Sequence, residues 1–103
     1  MAYKLVVSSE YDKQLDEIIG YVAIQLSNIS AAEAILDDIE ALYRYLQEVP
    51  ESLALCGDPY LASKGYRKAI LKHHDYVIMY RVVDESVYIS GIFHMKENYY
   101  TKL

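Results

Sequence analysis

The chain has 103 residues, enough for one small domain built on a single two-layer core and too few for a second domain. Ten Lys and Arg against 15 Asp and Glu leave a net charge of -5, which argues against a protein that coats nucleic acid by bulk charge. One cysteine, Cys56, excludes an internal disulfide, and no apolar run approaches the roughly 20 residues of a membrane span. The opening "MAYKLVVSSEYDKQL" has no long apolar stretch before its acidic residues, so the expected location is cytoplasmic and no membrane contact is expected.

In chain order, residues 3–7 are rich in β-formers and predict a short strand. Ser8 or Ser9 then offers an oxygen to free helix-start amides, and Glu10 and Asp12 suit the positive helix end. A helix over 9–26 follows, because Tyr11, Leu15, Ile18, Val22 and Leu26 recur at steps of three and four and share one face. Gly20 weakens it locally by roughly 1 kcal/mol against alanine. "SNIS" breaks the period, and Ser30 with Glu33 has capping-box spacing for a second helix. Its stripe is Ile35, Ile39, Leu42, Leu46 and Val49, and Pro50 ends it by pushing the preceding residue from helical geometry. Two such helices with a short loop form an antiparallel hairpin, each needing a common surface to cover.

"ESLALCGDPYLASKG" reads as an irregular link with one helical turn near residues 53–55. Strands are expected at 66–72, 76–83 and 86–94, joined by the short separators "HHD" and "DES" into consecutive antiparallel hairpins. The tail "MKENYYTKL" is expected to be a short helix or a loosely packed extension. This order predicts an α+β domain spanning residues 1–103, one sheet with a face under two helices.

Period two sorts the strand residues. Tyr76, Ile78, Tyr80, Val82, Val87, Ile89, Gly91 and Phe93 are expected on the helix-covered face. Arg67, Ala69, Leu71, Val77, Met79, Arg81, Tyr88, Ser90, Ile92 and His94 are expected on the other, with Lys68 breaking the alternation as an inward residue of an edge strand whose stem lies over the core. On that second face Arg67, Arg81 and His94 flank a shallow anion-binding surface, the arginines as rigid donor forks and the histidine as an acid or base. The competing reading makes them surface groups or partners of nearby acids.

Charge is unevenly divided. Residues 1–60 carry 3 basic and 11 acidic groups, a net of -8, while residues 61–103 carry 7 and 4, a net of +3. One side of the molecule therefore suits an anionic partner and the other repels it, unless the helices are acidic merely because they are solvated. His73, His74 and Asp75 are read as a solvated turn, since adjacent ligands in a turn point apart; no metal is expected. No phosphate-binding glycine loop or dinucleotide fingerprint occurs, so no cofactor is expected, and Cys56 reads as an inert thiol. Twelve tyrosines with no tryptophan point to rings packed at the core margin or an interface with their hydroxyls wet.

The segments "GYRKAIL", "YVIMYRV" and "VYISGIFHMKENYY", following a strand and a helix hairpin, resemble the RelE/ParE superfamily of bacterial toxins from type II toxin-antitoxin systems. The resemblance covers nearly the whole chain, and "YRV" with "FH" brings it nearer the ParE-like branch. It implies a two-layer fold with an N-terminal strand, a helix hairpin and a three-stranded antiparallel meander completing one sheet. It also implies a cognate antitoxin as partner, with operator DNA reached only through that antitoxin. ParE-like members inhibit DNA gyrase, which makes gyrase the expected target. RelE-like members cleave messenger RNA on the ribosome without a metal, and that alternative would use Arg67, Arg81, His94 and a tail tyrosine, Tyr99 or Tyr100. A third reading is an antitoxin-binding protein with no toxicity.

By position, Arg67 falls where RelE-like nucleases have the first of two strand lysines, Ala69 takes the second lysine's place and Val77 takes that of a phosphate-binding arginine. Lys96 approximates a basic position after the last strand. On the second face an antitoxin segment is expected to cover Leu71, Val77, Met79 and Ile92 while placing an acidic side chain near Arg67 or Arg81, with Lys96 in the same recognition set, as apolar cover with a few charge contacts.

Overall fold

The computed structural model describes residues 2–72, 75–97 and 103. Strand β1 (Lys4–Val7) leads into helix α1 (Ser9–Gly20), whose last turn continues as a π-helical turn over Tyr21–Gln25. Helix α2 (Ile29–Glu48), a 3-10 turn (Pro50–Ser52) and the short helix α3 (Pro59–Ser63) precede strands β2 (Arg67–Ile70), β3 (Tyr76–Val83) and β4 (Ser86–His94). The sheet order is β1-β4-β3-β2, with β1 parallel to β4 and the other pairs antiparallel. The expected α+β architecture is present.

Capping chemistry explains where the helices begin. The Ser8 hydroxyl accepts the Tyr11 amide at 3.0 Å and so starts α1. Helix α2 starts earlier than the capping-box spacing predicts, because the Asn28 side chain accepts the Ala31 amide at 3.0 Å and Ser30 already lies inside the helix. Ser27, at φ 49°, turns the chain between the π-helical turn and that cap. Pro50 ends α2 as expected. The helical turn expected at 53–55 is displaced to either side, to Pro50–Ser52 and to α3. Helix α3 has its own local signal: the Asp58 carboxylate accepts the Leu61 amide at 3.0 Å and Pro59 occupies the first helical position.

The core lies between the helices and one sheet face, where Tyr11, Ile35, Ile39 and Leu46 pack with Ile78, Tyr80, Val87, Ile89 and Ile92. Inside it the Tyr11 and Tyr43 hydroxyls meet at 2.5 Å and tie the two helices together. A second, smaller cluster on the opposite face joins Val77, Met79 and Phe93 to Cys56 and Leu61, with Tyr66 and Leu103 packed against it. The part of the connection around Cys56 and Leu61 thus forms a partial third layer.

Two features of the sheet overturn the simple alternation of faces. Met79 is opposite Gly91 while Tyr80 is opposite Ile89, so Ser90 is an extra residue and the pleat of β4 changes phase there. Beyond the bulge Ile92 and His94 turn to the helix face, and Gly91 and Phe93 to the other. In β2, Arg67 is opposite Tyr80 and Ala69 opposite Ile78, which puts Arg67, Ala69 and Leu71 on the helix side. Lys68, opposite Met79, therefore belongs to the second face, and its expected inward position is corrected.

Candidate functional site

The three residues expected to share an anion-binding surface do not converge. Arg67, on the helix side at the sheet edge, donates through Nη1 to the carbonyl of Leu53 in a short hydrogen bond and to that of Glu51 at 3.4 Å. Beside it the buried Tyr80 hydroxyl donates to the Pro50 carbonyl at 2.7 Å. Ser52 continues the set, donating to the Val49 carbonyl at 2.9 Å and hydrogen bonding the Tyr45 hydroxyl. These bonds hold the chain as it leaves α2 against the sheet. Burial pushes the Tyr80 phenol up to about 12, with the nearby Arg67 charge opposing the rise.

Arg81 lies on the opposite face, across β3 from Tyr88. Its guanidinium stands 5.2 Å from the centre of the Tyr66 ring, a cation–π contact. Its Nε is buried and has no hydrogen-bond partner, the one such side-chain atom among the described residues. An unpaired buried donor costs about 1–3 kcal/mol until an acceptor arrives. Around it the second face is open: Val83 is 45% exposed and Tyr88 39%.

His94 ends β4 with its ring edge-on to Tyr76, centroids 5.4 Å apart. Its Nδ1 accepts the Lys96 amide at 3.1 Å, and its backbone amide donates to the Glu97 carboxylate at 3.0 Å. That cluster fixes the neutral ring's tautomer with the proton on Nε2, because Nδ1 is the acceptor. The ring borders a cavity of about 390 Å³ that also takes in Glu10, Glu17 and Glu97. A polyanion approaching His94 would meet these carboxylates.

The residues expected under an antitoxin are mostly inside the chain. Leu71 and Ile92 are buried beneath the helices, and Val77 and Met79 in the second cluster. Ala69 and Val77, which stand where nucleases carry cations, are both buried, one in each core. Of that set, Lys96 is exposed and Arg67 and Arg81 are partly so. Tyr99 and Tyr100 lie outside the described residues, as do His73 and His74 of the turn; Cys56 is buried, and burial pushes its thiol up, which keeps it protonated and unreactive. Among the described residues no group of His, Cys, Asp or Glu is arranged to hold a metal, and no helix is long and apolar enough to cross a membrane.

Known proteins share this fold. No curated protein matches. Among solved structures, the chain is similar to one described as the chromosomal ParDE toxin-antitoxin system from P. aeruginosa, with a TM-score of 0.73 and 20% identity over 92% of this chain and 98% of that one. It is similar to a variant of the E. coli toxin RelE in the free state, TM-score 0.66 and 18% identity over 99% and 93% of the two chains. A third similar structure is the E. coli DinJ-YafQ toxin-antitoxin complex, TM-score 0.61 and 15% identity over 91% and 93%. At such identities these likenesses speak for the fold. The family model described as the ParE toxin of the type II toxin-antitoxin system parDE matches residues 5–99, and the chain belongs to that family.

Proposed function

We propose that this chain acts as a toxin that inhibits DNA gyrase by binding it and does not cleave messenger RNA. The observation that carries this reading is the separation of the cations. Arg67 is committed to backbone carbonyls on one side, Arg81 faces the other, and His94 sits among carboxylates. Phosphoryl-transfer catalysis without a metal requires cations preorganised around one developing charge. The buried Ala69 and Val77 cannot supply them.

A member of a toxin-antitoxin family has a cognate antitoxin. Arg81 is its proposed anchor, with Val83 and Tyr88 as flanking apolar contacts. An antitoxin carboxylate there would neutralise a guanidinium whose Nε has no partner among the described residues. Arg81→Gln is expected to weaken antitoxin binding by about tenfold to a hundredfold, the range for losing a charged hydrogen bond. Unchanged affinity by calorimetry, with the variant's stability intact, would remove Arg81 from the interface.

The test of the target is a pair of assays on one antitoxin-free sample: plasmid supercoiling by gyrase and messenger RNA cleavage on programmed ribosomes, each repeated after antitoxin is added. Antitoxin-reversible loss of supercoiling with intact RNA is the expected outcome. Codon-positioned cleavage with unaffected gyrase would overturn the proposal and mean that Arg67, Arg81, His94 and a tail tyrosine, Tyr99 or Tyr100, form a nuclease site in a rearranged geometry. Inactivity in both would favour an antitoxin-binding protein without toxicity.

A further inference from the structure

On the helix side, away from Arg81, α1 runs along the end of β4. Strand β1 stops opposite Ile89, so the remaining edge of β4 needs other partners. Helix α1 and its cap supply them: the Ser8 amide donates to the Ile89 carbonyl at 3.1 Å, the Ser8 hydroxyl to the Ser90 carbonyl at 3.2 Å, and the Gln14 side chain accepts the Ile92 amide at 3.0 Å. Gly91 permits the approach, since a Cβ there would stand 3.1 Å from the Gln14 Oε1. With Gln14 anchored, helical spacing carries Glu10, Glu17 and Tyr21 to the same side of α1.

These residues border the cavity of about 390 Å³ beside His94. A neighbouring cavity of about 420 Å³ is lined by Leu26, Asn28 and Asp75, and the two share Tyr21, Tyr76 and His94. The result is one groove with an aromatic floor, an apolar end and an acidic rim. Tyr21 and Leu26 are 50% and 54% exposed, large apolar area for solvent. The stretch from Ile18 to Ala32 holds no charged residue, and among the described residues no Lys or Arg lines either cavity. A π-helical turn forms this corner, a departure from regular helix found often at functional positions.

We infer that the groove between α1 and the end of β4 docks a protein segment that presents an arginine between apolar side chains. Guanidinium is the fitting cation: its plane stacks on Tyr21, Tyr76 or His94 while its donors meet the carboxylates of Glu10 and Glu17. The apolar neighbours would cover Tyr21 and Leu26. A phosphate-bearing partner is repelled by the same rim. The surface is independent of the gyrase reading and of the Arg81 contact.

The test uses the full chain, isotopically labelled, titrated with the capped tripeptide acetyl-Leu-Arg-Ile-amide at low salt and followed by amide NMR shifts. Saturable shifts are expected at Gln14, Glu17, Tyr21, Tyr76 and His94. Replacing the peptide's arginine by norleucine, or the protein's Glu10 and Glu17 together by Gln, is expected to weaken binding by about fivefold to tenfold. Both glutamates lie on the surface of α1, and the spectrum of the double variant reports that it is folded. The inference is overturned by an absence of shifts at these residues, by equal binding of the norleucine or a glutamate-bearing peptide, or by an oligonucleotide that shifts the same amides. Because the readout is binding to this groove, it is unaffected by which assay, supercoiling or RNA cleavage, responds to the toxin.

Discussion

Replacing Arg67 separates a structural role from a recognition role. Its Nη1 bonds to the carbonyls of Leu53 and Glu51 tie the chain after α2 to the sheet edge, beside the Tyr80 to Pro50 hydrogen bond. A hydrogen bond made by a charged donor contributes about 1.5–3 kcal/mol, and the Glu51 bond is long, so Arg67→Met is expected to cost about 2 kcal/mol in all. For a domain near this size that is a fall in melting temperature of about 8–16 °C. Denaturant unfolding should show a lower midpoint with an unchanged slope, since the compactness of neither state is altered. Arg67→Lys keeps the charge but replaces the guanidinium by a shorter-reaching point donor, and it should recover only part of the loss. Gyrase inhibition by the folded fraction should survive both changes. Wild-type stability in Arg67→Met, together with lost toxicity, would refute the reasoning and return Arg67 to a contact with the target.

Alkaline pH should unfold the protein through its buried phenols. Tyr80 has an ordinary value near 10 raised to about 12, and Tyr11 is raised by burial and by its Tyr43 partner, so the fold holds both as neutral phenols. Their contribution is complete below about pH 10, where the unfolded chain is also protonated, and Tyr80's share is lost as pH rises toward 12; at about 1.4 kcal/mol per unit this share is about 2–3 kcal/mol. Urea midpoints from pH 8 to 11.5 measure it, and a Tyr80→Phe variant with the same alkaline slope as wild type would contradict it. Gly91→Ala should destabilise by roughly 1–3 kcal/mol, because its Cβ would lie 2.7 Å and 2.8 Å from the buried Phe93 ring and crowd Gln14. Faster hydrogen exchange at the Ile92 amide should accompany the loss; unchanged exchange and stability would show that α1 does not need this close approach.

Local chemistry in the sequence determined the elements and their order. The apolar stripes of both helices, Pro50 as a stop, the two short separators and the Ser8 cap act within a few residues of themselves, so they can be read without the fold. The Asp58–Pro59 start of α3 was equally local, and its signal was present though the helical turn was expected elsewhere. Arg81 and His94 were legible as chemically capable residues for the same reason. Which face each residue joins was decided by tertiary structure. A single bulged residue, Ser90, reverses the phase of β4 from Gly91 onward, and the pairing of Arg67 with Tyr80 sets the phase of β2. Parity along one strand cannot report either, since a shift of one residue moves every following side chain to the other face. The bulge put Ile92 under the helices and carried His94 into an acidic groove, while the β2 pairing set Arg67 against backbone carbonyls, leaving Arg81 alone on the face where the sequence grouped all three.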